Sequence, residues 1–374
     1  MKASYLLDEL RKMNITTFTG VPDSTLTQFC DGLNTYQGDI GHYVTANEGA
    51  AVGLAIGTYL STGHPACVYM QNSGEGNIIN PLASLANEDV YGVPMLFIIG
   101  WRGEPGVHDE PQHVYQGKIT LDMLKLMGVS YTVIDADTTD EEMNRILETA
   151  GHELAAERQY AIVVKKGTFE KEEKYRWDNG NTLIREEVLG ELLKMLPRET
   201  AIISTTGKIS RELYEQSDAI YGDHDNLFMT VGGMGHASMI AFGVASGTPG
   251  RRVVCIDGDG AYLMHMGSSA FMACNAPENM VHIVINNMAH ESVGGMPTAC
   301  GRIDISEVAK SLGYRGSYRV RTMEELTGIR EVICCEPGPV LIEIMVALGA
   351  RADLGRPKES AADNKRSFMK FMNV

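Results

Sequence analysis

Two polar positions in the second half of the chain could hold one metal ion together. Asp259 lies just past a strand-like run at 253–257, and Asn286 ends the next such run at 281–286, 27 positions after Asp259. That separation is long enough for a turn, a crossover helix and a returning strand. Because ligands of parallel α/β sheets bind beyond the carboxyl ends of strands, neighbouring strands would bring both side chains to one point.

The chemistry of these groups favours a magnesium–diphosphate site. A carboxylate and an amide oxygen suit a hard cation, and Mg²⁺ takes few protein ligands and completes its shell with phosphates and water. Gly258 and Gly260 flank Asp259 and would let backbone N–H groups approach an anion. We predict a helix that starts near Met264 and points its positive end at the same place.

Three other motifs do not fit the sequence. The Gly258–Gly260 turn lacks the third glycine of a dinucleotide fingerprint, and Gly207-Lys208 lacks the upstream glycine of a P-loop. His290-Glu291 lacks the second histidine of a zinc-protease helix. A tight turn with strand-capping asparagines remains the purely structural alternative.

The elements that would position these residues are alternating strands and helices. The strand candidates are apolar throughout, which is typical of parallel strands covered on both faces. We therefore predict an α/β fold with parallel sheets flanked by helices. The predicted strands are 15–21, 66–70, 95–100, 131–135, 161–166, 201–207, 253–257, 281–286 and 340–345.

The length and one charged stretch predict two domains. The chain has 374 residues, more than one typical core. Residues 171–182 are charged and turn-rich with no apolar period, so we interpret them as a linker. The predicted domains are 1–170 and 183–374, the second including a C-terminal tail.

Composition excludes some classes of partner. The formal net charge of −16 argues against nucleic acid but permits a small anion in a local basic pocket. We find no apolar run long enough for a membrane helix and no signal peptide, so we expect a cytoplasmic protein. The seven cysteines include no CxxC pair and are expected to be free thiols.

The GDG turn followed by the Asn-Asn pair resembles the signature of thiamine-diphosphate-dependent enzymes. This resemblance implies two thiamine-diphosphate-binding domains, a pyrimidine-binding one before the linker and a diphosphate-binding one after it, without a middle domain. It also implies that Mg²⁺ is bound by Asp259, Asn286 and the backbone carbonyl of Met288. Gly258, Gly260 and Ala261 would contact the diphosphate.

The resemblance also assigns the residues that act on the organic part of the cofactor. Glu48, at the start of an alanine-rich helix, would hold a proton against the aminopyrimidine ring, and burial should raise its pKa. Met234 would be the apolar wedge that bends the cofactor. The further cofactor contacts implied are Asn72, Ser73, Gly74, Thr206, Gly207 and Gly232.

The compact two-domain length is similar to that of the phosphonopyruvate and sulfopyruvate decarboxylases within this family. The implied reaction is non-oxidative decarboxylation of 3-phosphonopyruvate to phosphonoacetaldehyde and CO₂, a step of phosphonate biosynthesis. Sulfopyruvate, another 2-oxo acid, or carbon–carbon ligation are alternatives. A non-catalytic cofactor-binding subunit and a plain nucleotide-binding protein stay open as different classes.

An anionic 2-oxo acid needs cations and proton donors around it. The candidate cations are Arg102, Lys118, Lys208 and Arg211. The candidates for proton transfer or substrate orientation are Asp23, Ser24, His108, Asp109 and His113. Because family members share the cofactor between two subunits, the resemblance implies a homodimer or a higher homo-oligomer.

Overall fold

The computed structural model describes residues 1–374, apart from the side chain of Ser292. The chain divides into two compact units. The first unit comprises Met1–Trp177 with Ser292–Met296, and the second comprises Asp178–Glu291 with Pro297–Val374. The main division therefore falls inside the 171–182 stretch, whose residues form neither helix nor strand. None of the described helices is long and apolar enough to span a membrane.

The first unit is a six-stranded parallel sheet with helices on its faces. Its strands are β1 (Thr17–Gly20), β2 (Gly41–Val44), β3 (Ala66–Gln71), β4 (Met95–Gly100), β5 (Ser130–Ile134) and β6 (Tyr160–Val164). Its helices are α1 (Ala3–Lys12), α2 (Thr27–Thr35), α3 (Glu48–Thr62), α4 (Glu75–Pro81), α5 (Pro111–Leu126) and α6 (Asp140–Ala155). The strand order is β2-β1-β3-β4-β6-β5.

The second unit contains another six-stranded parallel sheet. The strands that follow β6 in the chain are β7 (Ala201–Ser204), β8 (Leu227–Met229), β9 (Val253–Gly258), β10 (Met280–Asn286), β11 (Ala289–His290), β12 (Met296–Pro297), β13 (Gly316–Val320) and β14 (Val340–Met345). Its helices are α7 (Arg185–Met195), α8 (Lys208–Tyr221), α9 (Ala237–Gly247), α10 (Asp259–Met264), α11 (Gly267–Asn275), α12 (Ile305–Leu312), α13 (Met323–Gly328), α14 (Arg330–Cys335) and α15 (Ala361–Phe371). The order in the sheet is β13-β14-β10-β9-β7-β8.

The two sheets have the same topology. Apart from the short β11 and β12, the six strands of the second unit, numbered along the chain, follow the same order as those of the first. All pairings within both sheets are parallel. The predicted α/β class with two helix-flanked parallel sheets is confirmed.

The central strands are apolar throughout because each face of the sheet has its own core. In β4, Leu96 and Ile98 pack into one hydrophobic cluster, whereas Phe97 and Ile99 pack into another on the opposite face. Successive strand residues point to opposite faces, so a strand covered twice needs no polar position. This arrangement explains why unbroken apolar runs predicted strands correctly.

Two sequence-based expectations about elements were wrong. The helix after the GDG turn begins at Asp259 and ends at Met264, so it starts five residues earlier than predicted. The strands β2, β8, β11, β12 and β13 were missed. They are short, and β2 and β13 are only partly buried, so their sequences carry polar residues and lack the apolar signal.

Candidate active site

Glu48 is a buried acid in the first unit. It is the first residue of α3, it is 4% exposed, and Asn47 caps the helix by accepting the N–H of Ala50 at 2.9 Å. Its Oε2 accepts a hydrogen bond from Asn77 Nδ2 at 2.6 Å. Desolvation raises the pKa of Glu48, and the Asn77 bond only partly offsets this. The carboxyl is thus suited to retain a proton at a pH where a surface glutamate would be ionised.

The loop between β3 and α4 lies against this carboxyl. A Cβ on Gly74 would lie 2.6 Å from Glu48 Oε1, so a side chain at this position would displace the Glu48 carboxyl. The side chain of Asn72 points elsewhere: its Nδ2 donates to the Arg102 carbonyl and to Thr120 Oγ1, both at 2.8 Å. Asn72 therefore anchors the loop through its side chain. The cofactor contacts of Asn72, Ser73 and Gly74 stay predictions.

A second group of predicted residues meets at the ends of β1 and β4. Arg102 forms two hydrogen bonds to the Asp109 carboxylate, and its Nη1 donates to Ser24 Oγ at 2.7 Å. Asp23 is fully buried beside them, and its Oδ2 accepts the N–H of Thr25 at 2.7 Å. We call Asp23, Ser24, Arg102 and Asp109 the Arg102 group.

The surroundings of this group raise the pKa of one member, Asp23, toward neutral pH. Burial raises the pKa of Asp23 to about 6, although Arg102 acts in the opposite sense. Asp23 Oδ1 has no hydrogen-bond partner among the described residues. Burial alone would raise the pKa of Asp109, but the bonds from Arg102 hold it well below its usual range. Asp23 is thus an acid whose free oxygen could exchange a proton near pH 6.

The remaining first-unit candidates differ in their surroundings. His113 on α5 senses the Arg102 group: burial, and then the Arg102 charge, lower its pKa to about 4, so the imidazole is neutral. His108 and Lys118 are exposed, and Lys118 lies on the outer side of α5. His113 therefore lies within electrostatic range of Arg102 and Asp109.

In the second unit, the strands that carry Asp259 and Asn286 are neighbours. In the register of β9 and β10, Ile285 pairs with Gly258, so Asn286 stands beside Asp259 at the carboxyl edge of the sheet. Both side chains are buried. Desolvation raises the pKa of Asp259 to about 7, and the Thr298 hydroxyl, which donates to its Oδ2 at 2.5 Å, opposes this.

Hydrogen bonds also orient the other two predicted metal ligands. Asn286 Nδ2 donates to Glu343 Oε1 at 2.7 Å, which fixes the amide because a carboxylate can only accept. Asn286 Oδ1 accepts the N–H of Met288 at 2.9 Å. Met288 has a left-handed backbone with φ of 59°, and its carbonyl accepts the N–H of Thr298 at 2.8 Å.

The Glu343 carboxylate is itself held by an arginine. It is completely buried on β14 and accepts Arg319 Nε at 2.8 Å. Arg319 also pairs with Asp304 at 2.8 Å. A buried carboxylate needs such pairing to remain charged. This chain of contacts supports the amide of Asn286 from behind.

Met234 and the GDG turn lie together. A Cβ on Gly260 would lie 3.1 Å from Met234 Cε and 3.0 Å from His290 Cε1. Gly233 and Gly235, on either side of Met234, have φ of 64° and 87°. Glycine takes these left-handed angles without strain, so the backbone can turn sharply around Met234. Gly232 opens this turn, and Ala261 is buried within α10.

The predicted second-unit cations are engaged with protein groups. Lys208, the first residue of α8, pairs with Glu291 at 3.1 Å. Arg185 also pairs with Glu291. Arg211 donates to the backbone carbonyls of Leu354 and Gly355. Arg211 therefore anchors the segment before α15, and Lys208 is partly neutralised.

The N-terminus of α8 offers backbone donors at the same sheet edge. Gly207 precedes it with φ of 92°, an angle that favours glycine. Thr206 Oγ1 donates to the Val231 carbonyl at 2.9 Å, which ties this turn to the loop before Met234. A 14-residue helix of this kind can bind an anion through its first N–H groups.

These features fit a diphosphate with a divalent cation. Asp259 is a buried carboxyl with a raised pKa, and a cation beside it would favour its ionised form. The donor set of carboxylate, amide oxygen and main-chain carbonyl is entirely oxygen, as Mg²⁺ prefers.

Comparison with known families agrees with this interpretation. The model of the N-terminal TPP binding domain of thiamine pyrophosphate enzymes matches residues 2–131, and that of the C-terminal TPP binding domain matches residues 216–344. The chain belongs to the thiamine pyrophosphate enzyme family. Its cofactor is thiamine diphosphate, with Mg²⁺ as the usual partner metal of such enzymes.

Two relatives of this thiamine pyrophosphate enzyme align over nearly its whole length. Phosphonopyruvate decarboxylase of Streptomyces viridochromogenes is 35% identical, and the alignment covers 100% of this chain and 95% of the relative. Its Streptomyces hygroscopicus counterpart is also 35% identical, over 99% and 94%. Sulfopyruvate decarboxylase of Methanosarcina acetivorans is 26% identical over 74% of each chain. The expectation of a thiamine-diphosphate-dependent decarboxylase is confirmed.

Sequence reasoning missed several residues that support the site of this thiamine pyrophosphate enzyme. Thr298, Glu343 and Asn77 each contact a predicted ligand or acid across a long stretch of chain. Asn77 and Thr298 lie in segments that resemble the family, 70–87 and 290–298, but the resemblance assigns no role to either residue. The sequence signal of Glu343 is a lone acid inside the apolar run VLIEIM.

Proposed function

We propose that this enzyme converts 3-phosphonopyruvate to phosphonoacetaldehyde and CO₂, a step of phosphonate biosynthesis. The bond between the carboxylate and the 2-oxo carbon breaks, and one proton takes the place of CO₂ on that carbon. The observation that carries the proposal is the Arg102 group, which sets a fixed guanidinium beside a proton-exchanging acid. The two full-length relatives of that name support the same substrate.

Arg102 is our candidate for binding the phosphonate. A guanidinium held in one plane can donate two parallel hydrogen bonds to phosphonate oxygens, which a lysine cannot do. Arg102 is partly exposed, with Ser24 Oγ at its Nη1. The bonds to Asp109 and Ser24 use three of the five N–H groups of Arg102, which leaves one on each Nη atom for phosphonate oxygens.

The protein groups would divide the remaining work. Thiamine diphosphate supplies the nucleophilic carbon and takes up the electron pair when CO₂ leaves. Glu48 would hold a proton against the cofactor's pyrimidine ring, since burial raises its pKa. Asp259, Asn286 and the Met288 carbonyl would hold Mg²⁺. Asp23 would supply the proton that takes the place of CO₂.

Exposed apolar surfaces support a homo-oligomer. After Glu48, α3 contains no charged residue, yet its Leu60 is 75% exposed. In the second unit, α9 has no charged residue at all, and Phe271 on α11 is 47% exposed. Helices that are apolar all round are normally covered on every side. We propose that a second copy of the chain covers them.

The substrate assignment is tested with purified enzyme, thiamine diphosphate and Mg²⁺. We expect kcat/KM to be highest for 3-phosphonopyruvate among phosphonopyruvate, sulfopyruvate and pyruvate. Arg102→Gln should lower kcat/KM for phosphonopyruvate about 10- to 100-fold, because charge-assisted hydrogen bonds contribute about 1.5–3 kcal/mol. Pyruvate, which lacks the phosphonate, should be affected much less.

The matched control is Arg158→Gln, which breaks the ion pair with Glu153 elsewhere in the first unit. It should leave all three kcat/KM values unchanged. An equal loss on all three substrates in Arg102→Gln would contradict phosphonate binding by Arg102. The second candidate function is sulfopyruvate decarboxylation, which the similarity to sulfopyruvate decarboxylase favours over reactions of other 2-oxo acids. It is correct if sulfopyruvate gives the highest kcat/KM.

A further inference from the structure

Thr298 joins two of the three groups that are proposed above to bind the metal ion. Its hydroxyl donates to Asp259 Oδ2 at 2.5 Å, and its N–H donates to the Met288 carbonyl at 2.8 Å. The side chain is buried. Since Asn286 Oδ1 accepts the Met288 N–H, one hydrogen-bonded chain runs from Asp259 through Thr298 and Met288 to Asn286.

Each of these bonds leaves an oxygen lone pair for a cation. A carboxylate has two oxygens, so a hydrogen bond on Oδ2 fixes the rotation of the Asp259 group while Oδ1 remains for a metal ion. A carbonyl oxygen has two lone pairs, so the Met288 carbonyl can accept the Thr298 N–H and still bind a cation. The Thr298 contacts therefore orient both ligands without occupying them.

We propose that Thr298 is a positioning residue for the divalent cation. It acts through Asp259 and Met288 and need not touch the metal. The proposal rests on the proposed ligand set. Partners of this kind around a metal site typically change metal affinity 10- to 100-fold when they are removed.

Thr298 also has a local structural role, which the experiment has to distinguish from its proposed effect on metal binding. Its Oγ1 accepts the N–H of Cys300 at 3.3 Å at the start of a short turn, residues 299–301. Loss of that contact would lower the stability of the fold but would not by itself change metal affinity. Thr322 makes the equivalent contact at the start of α13, where its side chain accepts the N–H of Glu325.

The test compares Thr298→Val, which keeps the shape but loses the hydroxyl, with Thr298→Ser, which keeps it. Mg²⁺ titration by calorimetry, at saturating thiamine diphosphate, measures the Kd. We expect a 10- to 100-fold higher Kd for Thr298→Val and a Kd within about threefold of wild type for Thr298→Ser. At saturating Mg²⁺, kcat of Thr298→Val should recover most of the wild-type value.

Thr322→Val is the matched control for the loss of a capping threonine. It should change the Tm of the cofactor-free protein without changing the Kd for Mg²⁺. If Thr298→Val unfolds, Thr298→Cys and Thr298→Ser provide the comparison, because cysteine keeps the size with a weaker donor and should give an intermediate Kd.

A wild-type Kd in folded Thr298→Val would overturn the role of Thr298, as would a Kd that serine fails to restore. Failure of the proposed function has a different signature. In that case the wild type binds no Mg²⁺ in the presence of thiamine diphosphate, or Asp259→Asn binds Mg²⁺ as tightly as the wild type does. Either result rejects the proposed ligand set and, with it, the positioning role of Thr298. Loss in Asp259→Asn without loss in Thr298→Val rejects Thr298 alone.

Discussion

Glu48 in the first unit and Asp259 in the second are acids in corresponding places with different surroundings. Each is the first residue of a helix that follows a strand, and each is almost completely buried. Desolvation is the largest cause that raises the pKa of both. The two acids differ in the groups that lie next to their carboxyls.

Glu48 lies among uncharged groups. Its hydrogen-bond donor is the Asn77 amide, and the backbone at Gly74 lies against it. Asp259 accepts from the Thr298 hydroxyl, and after desolvation the negative charge of Asp257 also contributes to its raised pKa. Asp257 thus adds a nearby negative charge to the Asp259 site, whereas no charged group is among the causes of the Glu48 shift.

The comparison shows that burial alone does not define the role of an acid. Desolvation keeps a proton on a carboxyl when its neighbours are neutral. The same desolvation strengthens binding of a cation when neighbouring oxygens converge on one point. The two sheets of one topology thus provide an acid that holds a proton and an acid that is suited to a metal ion.

The largest expected effect is that of Glu48→Gln. The amide keeps the size but cannot exchange the proton, so we expect kcat to fall about 1,000-fold or more. The Kd for thiamine diphosphate with Mg²⁺ should stay within about threefold of wild type. Steady-state kinetics and calorimetry measure the two quantities. A variant that turns over near the wild-type rate would remove the proton-holding role from the comparison.

Asp259→Asn should show the opposite pattern. The site loses its carboxylate ligand, so we expect the Kd for Mg²⁺ in the presence of thiamine diphosphate to rise by more than the roughly 10- to 100-fold typical when only a residue that supports a ligand is lost. Activity should recover in part at high Mg²⁺ because Glu48 is intact. Metal titration of cofactor binding measures this. Unchanged metal affinity together with lost turnover would mean that Asp259 and Glu48 do not differ in the proposed way.

A third buried acid, Glu75, extends the comparison, and its substitution is expected to have the smallest effect of the three. Glu75, the first residue of α4, is fully buried, and neither of its carboxyl oxygens has a hydrogen-bond partner among the described residues. Desolvation raises its pKa from 4.5 to about 8. Between these values the unfolded chain has released a proton that the folded protein keeps, so stability falls as pH rises and levels off above pH 8.

Glu75→Gln removes this dependence. The free energy of unfolding of the variant minus that of wild type should increase by about 2 kcal/mol from pH 6 to pH 8, because each pH unit in the window contributes about 1.4 kcal/mol. Urea unfolding at the two pH values measures it. Glu148→Gln on the exposed surface of α6 is the control and should show no such increase. A constant difference would show that Glu75 is not desolvated as described.

Much of the fold followed from apolar runs, because strands buried on both faces are mostly apolar. The edge strands β2 and β13 have partly exposed residues, and no periodicity distinguished them from loops. The predicted start of the helix after the GDG turn was wrong because Asp259 and Gly260, which look like turn residues, already belong to α10.

The amino-acid sequence by itself determined the family and the two acids, since GDG, the Asn-Asn pair and Glu48 are local signals of residue type and spacing. Only the tertiary structure decided which polar groups meet. Arg211 and Arg102 are both candidate substrate cations in the sequence, yet Arg211 donates to backbone carbonyls and Arg102 donates to Asp109 and Ser24. Thr298 reaches Asp259 across 39 positions. Such pairings depend on strand order and register, because those bring distant residues within hydrogen-bonding distance.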